Sequence, residues 1–313
     1  MALLTRKRKI LAKVEAVYGT DSTPAAATDA VLLRDLNVTP LDVSYDERTL
    51  IRATLGAFEQ AVGMKSVKIE ATIECAGFST LSAPTPGYDA LLRACGLAQT
   101  INAGPPATVV YNPVSAAFES VTVYYERDGV LQKALGCLGT LSLELAEGKI
   151  PAWKVSLTGV DGGSADLDIG IPDTSAYLRP LAVNSANTTG FSILGFAGGI
   201  LRSLSIDLGN QIEQTTYVGD AERVSLTDRQ VSGKMSVQAT TVAAMDWLGK
   251  IVPVQTGAFA LQHGPVGNSV SLSAPAVQII SPAESDDKGV AFMDFDLRFL
   301  PSAGNDELIV TIG

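Results

Sequence analysis

Two long stretches of this chain follow one pattern, and any fold it adopts must accommodate both. Leu33-Arg34-Asp35-Leu36 opens one strand-like run, and Leu201-Arg202-Ser203-Leu204 opens another, displaced by 201 − 33 = 168 residues. A polar stretch follows each, then an alternating run, Val67 to Ile73 and Lys234 to Ala239, with Lys68 and Lys234 displaced by 166. Further on, Gly148 to Leu157 resembles Lys288 to Leu297 at a displacement of 140, and Leu167 to Ile171 resembles Leu308 to Ile312 at 141. The second copy is therefore shorter by 166 − 140 = 26 residues between Lys234 and Val290. Two similar β units without evident chemistry suggest a building block, in which one chain fills two neighbouring positions of a ring.

Within each copy the alternation is strict. Val67, Ile69, Ala71 and Ile73 share one face, and Lys68, Glu70, Thr72 and Glu74 share the other. Leu141, Leu143 and Leu145 alternate with Ser142 and Glu144, while Trp153, Val155 and Leu157 alternate with Lys154, Ser156 and Thr158. Period-two alternation marks antiparallel sheets with one face in a core and one in water. One helix is expected from Thr85-Pro86 to Gly96, because Tyr88, Leu91, Leu92 and Cys95 recur on a single apolar face. A shorter one is expected from Thr241 to Leu248, closed by Gly249. The expected fold is mainly β, with two tandem β-sandwich or barrel units, each carrying a flanking α-helix. Residues 1–30 read as an N-terminal arm, 31–171 as the first unit, 172–190 as a linker and 191–313 as the second unit.

Composition narrows the class. Hydrophobic residues make up 46% and charged residues 18%, with a mean hydropathy of +0.23, so apolar surface is expected to be buried between subunits. No apolar run approaches the length of a spanning helix, and the basic start Arg6-Lys7-Arg8-Lys9 lacks the apolar stretch of a signal peptide, so a cytoplasmic start is expected. Cys75, Cys95 and Cys137 are widely spaced and read as small buried apolar residues. A net charge of −10 argues against gripping nucleic acid, since an acidic protein repels phosphates.

Nothing in the sequence demands catalysis, a metal or a cofactor. The only histidine, His263, is expected on a solvated Gly-Pro-rich loop and cannot build a multi-histidine site alone. Gly148-Lys149 and Gly249-Lys250 lack the rest of a phosphate-binding loop. Glu284, Asp286 and Asp287 read as a solvated acidic turn in preference to a cation site. Asp294 and Asp296 face one side of a strand, where an acid pair for glycoside hydrolysis is less economical than a plain polar face. An adhesin-like carbohydrate module would show clustered exposed aromatics, and aromatic residues are only 6%.

Several segments, in order, carry a family resemblance. Leu3 to Lys13 leading to Tyr18-Gly19-Thr20-Asp21-Ser22-Thr23-Pro24 resembles the start of the major tail, or tail tube, proteins of long non-contractile-tailed phages. Tyr88 to Leu97, Phe118 to Tyr125 with Arg127-Asp128-Gly129, and Ser205 to Asn210 are similar to segments of the same family, in particular that of Mu-like siphophages of Pseudomonas. The resemblance implies a structural virion protein assembled in the host cytoplasm, whose units join their sheets side by side into a cylinder that stacks in rings. It implies self-association, the tape measure protein in the lumen, tail terminator and distal tail proteins at the tube ends, and phage DNA in unspecific transit, with no membrane. A terminator, distal tail or decoration protein is the alternative within the virion.

With two units per chain, three chains are expected to form one pseudo-sixfold ring. The expected lumen-facing residues are Lys68, Glu70, Thr72, Glu74, Glu144, Lys154, Asp207, Lys234, Gln238, Asp294, Asp296 and Arg298, six acidic and four basic. Such a wall lets DNA slide without sticking. Two matching polar loops, 46–65 and 213–230, are expected to make ring-to-ring contacts through Glu47, Arg48, Arg52, Glu59, Glu213, Asp220, Glu222, Arg223, Asp228 and Arg229, with help from the basic N-terminus.

Overall fold

Alternating strands with one apolar face must pair along their edges and bury that face together, and nearly every strand here joins one antiparallel sheet. The computed structural model describes residues 3–78, 85–219 and 221–313. In chain order the elements begin with β1 (Arg8–Val14), β2 (Asp35–Glu47), β3 (Gln60–Glu74), α1 (Asp89–Ala94), β4 (Leu97–Asn102) and β5 (Thr108–Pro113). They continue with β6 (Val121–Arg127), β7 (Val130–Ala146), β8 (Ala152–Asp166), β9 (Thr188–Ile193), β10 (Phe196–Ala197), β11 (Leu201–Asp207) and β12 (Asn210–Thr215). The remainder are β13 (Arg223–Arg229), β14 (Ser232–Gln238), α2 (Trp247–Ile251), β15 (Thr256–His263), β16 (Val270–Asp287), β17 (Val290–Leu300) and β18 (Ile309–Ile312). The chain is mainly β, as its alternation predicts.

Two sets of six strands pair in the same order. The first runs β1-β6-β7-β8-β3-β2 and the second β9-β15-β16-β17-β14-β11. They meet where β11 pairs with the second half of β7, Ser205 opposite Glu144 and Asp207 opposite Ser142. The first half of β7 holds β6 instead. The strand changes partner after a bulge between Leu135 and Leu138, where Gly136 takes a positive φ of 59° that a side chain would resist. One continuous core runs under both sets, from Ile10, Ile69 and Trp153 to Met235, Phe259 and Phe295.

Several local expectations need correction. The segment read as an arm is packed from Arg8 onward: β1 pairs with β6 over seven residues, and Leu11 is fully buried. Both polar loops are hairpins, one extending β2 and β3 until Glu47 faces Gln60, the other formed by β12 and β13 as a separate two-stranded sheet. The second helix starts later than expected, because the Asp246 carboxylate accepts from the Gly249 amide (2.9 Å) and makes Gly249 part of the first turn. Leu167 to Ile171 is not a strand, with Ile171 91% exposed, whereas β18 is buried between β16 and β5. The register between the two sets differs by two residues from the displacement of 166. Ala71 lies between Leu36 and Val155 as Met235 lies between Leu204 and Phe295, so Lys234 corresponds in place to Glu70, not Lys68. A two-residue slip keeps every side chain on its face, so alternation alone could not detect it.

Candidate functional site

The sheet gathers the twelve polar strand residues on one face. Directly opposite residues of an antiparallel ladder point the same way. Thr72 stands opposite Lys154, Lys154 opposite Ser142, and Ser142 opposite Asp207. In the next row Glu144 is opposite Ser205, Ser205 opposite Lys234, and Lys234 opposite Asp296. Glu70 and Lys68 follow on β3 facing Ser156 and Thr158, and Glu74 shares the partner Ala152 with Glu144. On the far side Arg298 faces Ser232 and Gln238 faces Phe292, next but one to Asp294. Two depressions lie on this face: one of about 600 Å³ is lined by Glu144, Lys234, Asp294 and Asp296, the other, about 300 Å³, by Glu70, Thr72, Lys154 and Asp207.

Four of the ten charged residues on this face, Lys68, Glu144, Lys154 and Asp294, are ion-paired with neighbours. Lys154 meets Glu144 at 2.5 Å, Lys68 meets Asp42 at 2.6 Å, and Arg202 meets Asp294 at 3.2 Å. Ser236 also donates to Asp294 (2.5 Å), and the Asn37 amide donates to Glu70 (3.2 Å). Asp294 is thus bound into the sheet by its neighbours rather than left free beside Asp296.

The two hairpins differ in how free they are. At the first tip Arg48 pairs with Glu59, and the Glu47 carboxylate accepts from Gln60 (3.2 Å). Arg52 folds back onto the carbonyls of Thr54 and Ala57 and lies 4.2 Å from the centre of the Phe58 ring. That leaves Ile51 and Leu55 fully exposed, an apolar tip not among the expected contact residues, whose signal in the sequence is the run Leu50-Ile51 with Leu55 in a polar loop. On the second hairpin, Arg229 is nearly buried against Glu307 at 2.6 Å, and Arg223 covers the Tyr18 ring. Glu213 and Asp228 lie along its exposed rim, Glu222 is half-buried, and Tyr217 and Val218 project at its tip. Asp220 lies outside the described residues. Gln214 on β12 donates to the Lys65 carbonyl (2.7 Å), which ties the second hairpin to the root of the first.

The remaining titratable candidates are committed to the fold. His263 ends β15 rather than lying in a loop, is 5% exposed, accepts from the Thr188 hydroxyl (2.9 Å) and donates to the Leu181 carbonyl (3.1 Å). Burial pushes its pKa below the usual histidine value. All three cysteines are buried, which pushes their thiols up and leaves them inert. Among the described residues, no group of three acidic, histidine or cysteine side chains could hold a metal, and no helix is long and apolar enough to cross a membrane.

A two-set β sheet with one polar face and two projecting hairpins has the form of a building block. The family comparison agrees: residues 5–291 match the model of the phage tail tube protein, and the chain belongs to that family. It is a non-enzymatic component of the virion tail that assembles with itself into a tube and contacts other tail components. No individually curated protein matches the sequence.

Proposed function

We propose that three copies of this chain close one ring of the tail tube, each copy supplying two like β units, and that the polar face lines the lumen. One observation carries this reading: two six-strand sets of identical order join edge to edge through β7 and β11 into one sheet with one polar face. If that join repeats between copies, six sets form a closed cylinder in which the β2 edge and the open part of β16 are both paired. The units are proposed as β1 to β8 and β9 to β17, joined by the segment 167–187, so β1 belongs to the first unit as β9 does to the second. The first hairpin tip, with Ile51 and Leu55, and the second, with Tyr217 and Val218, are proposed to seat on the next ring, where their exposed apolar side chains are buried.

In this reading the tape measure protein occupies the lumen before DNA, terminator and distal tail proteins cap the ends, and assembly takes place in the host cytoplasm. The similar segments from Leu3 to Pro24 and from Tyr88 to Leu97 support a relationship with Mu-like siphophages of Pseudomonas. Mass per ring tests the ring size. Scanning transmission electron microscopy of assembled tubes should give three chains of 32.6 kDa per ring repeat, and six chains would overturn the three-copy ring.

A further inference from the structure

The two six-strand sets differ at one place that leaves a strand edge open. In the first, the front half of β7 holds β6, and its back half, Ser142 to Ala146, holds β11. In the second, the front half of β16, Val270 to Gln278, holds β15, and among the described residues the stretch from Ile279 to Asp287 has β17 on one side and no paired strand on the other. At the opposite end of the sheet β2 pairs only with β3. The molecule thus has one free edge of each kind whose internal counterparts are already joined.

We propose that β16 of one copy pairs antiparallel with β2 of a second copy of this chain, in the register of the internal β7–β11 join, and that an acid–base contact absent from that join secures it. The proposal rests on the ring reading above. Ladder positions carry the register over. Leu36 stands where Leu204 does, and Ser285, opposite Phe292, stands where Glu144 does, opposite Ala152. Ser205 faces Glu144 internally, so Asn37 faces Ser285 between copies, Leu36 faces Asp286 and Val38 faces Glu284.

The charges fit this pairing. Internally the core side of the join is apolar, Leu204 against Leu145 and Ile206 against Leu143. Between copies the equivalent positions on β16 are Asp286 and Glu284, both exposed. Beside β2, a groove is lined by Arg6, Arg8 and Arg34, all exposed, and Arg8 donates to the Leu36 carbonyl (2.8 Å). Their neighbours Lys7 and Lys9 are paired with Asp128 and with Glu126 and Asp168, whereas among the described residues these three arginines have no acidic partner. Among the described residues, three guanidinium groups without an acidic partner at one edge and two carboxylates without a cationic partner at the other recommend a second copy as the occupant. The register also sets Asp287 against Asp35, a like-charge pair flanked in sequence by Lys288 and Arg34.

Cysteine pairs test the register. Within one chain Asn37 and Ser285 are seven strand steps apart, about 34 Å along the sheet at ~4.8 Å per step, so N37C/S285C can bridge only between copies. The buried native cysteines do not compete. Oxidised tubes of this variant should run as covalent species ending at three copies on denaturing gels, while the internal control S205C/E144C closes within one chain. Intact tubes in which the control closes and N37C/S285C does not would overturn the join. A covalent ladder reaching six would keep the join and overturn the three-copy ring. The charges are tested separately: E284K/D286K and R6E/R8E/R34E should each fold but stay unassembled, and the five changes combined should restore tubes. Assembly of either set alone, or failure of the combination, would overturn the acid–base contact.

Discussion

Lys154 reaches Glu144 at 2.5 Å across the β7–β8 ladder, so one cation of the polar face is neutralised by its neighbour. With six acidic and four basic residues among the twelve strand positions, a phosphate brought to this face would meet few unpaired cations. Reversing Glu70, Asp207 and Asp296 to lysine gives three acidic and seven basic residues on the same strands. Tubes of that triple variant should retain DNA at low salt and release it as salt rises, in a retention assay in which unmodified tubes hold none. Equal retention by both would show that the face does not meet DNA.

The first hairpin should be separable from the fold. Its tip beyond the Glu47–Gln60 pair contributes nothing to the continuous core, so replacing residues 48–59 by a two-residue turn should change the unfolding midpoint little. The same variant should form no long tubes by electron microscopy. Normal tube length would remove the hairpin from ring stacking.

The α2 side of the core hangs on Trp247, whose ring lies 5.5 Å from Phe196 and 5.4 Å from Phe295 between centroids. It is 4% exposed. Trp247→Ala should cost about 3–5 kcal/mol, read as a lowered urea midpoint with an unchanged slope. Gly139 is constrained differently. It lies opposite Leu157 in β7, where a Cβ would collide with the Ser156 carbonyl and the Leu157 side chain. Gly139→Ala should therefore cost about 1–3 kcal/mol through overpacking alone.

Acid sensitivity near neutrality should trace to His263. Its folded pKa lies below the unfolded value of about 6.5, because burial disfavours the charged ring. Above about pH 6.5 both states are neutral and the stability is fully present. As pH falls toward the folded value the unfolded chain takes up the proton first, and stability is lost. The drop in urea midpoint between pH 7.5 and 5 should be smaller in His263→Gln than in the unmodified protein. Asp21 adds a loss at lower pH. Burial alone would raise its pKa, but hydrogen bonds from Lys133 and Tyr124 outweigh burial and hold it below the usual value.

The strands and their faces were legible in the sequence because period-two alternation is a local signal. Val67 to Glu74 and Trp153 to Thr158 fold with the sidedness that their alternation predicts. What local pattern cannot carry is pairing. Nothing around Arg8 to Val14 announces β6 as its partner more than a hundred residues away, and a two-residue slip of Lys234 leaves every face unchanged. The α2 start was missed because one Asp246 carboxylate, not the apolar spacing, decides it. At the first hairpin tip, Ile51 and Leu55 stand among charged residues without an alternating pattern, so no local periodicity in the sequence marks them as exposed.

A reconstruction of the assembled tube by electron cryomicroscopy, at a resolution that shows strands, tests the central claim most directly. The expected result is a ring of three chains with two alternating kinds of lobe, a continuous inner sheet, and Glu70, Lys154, Asp207, Lys234 and Asp296 pointing into the lumen. A ring of six chains, or a polar face turned outward from the channel, would contradict it.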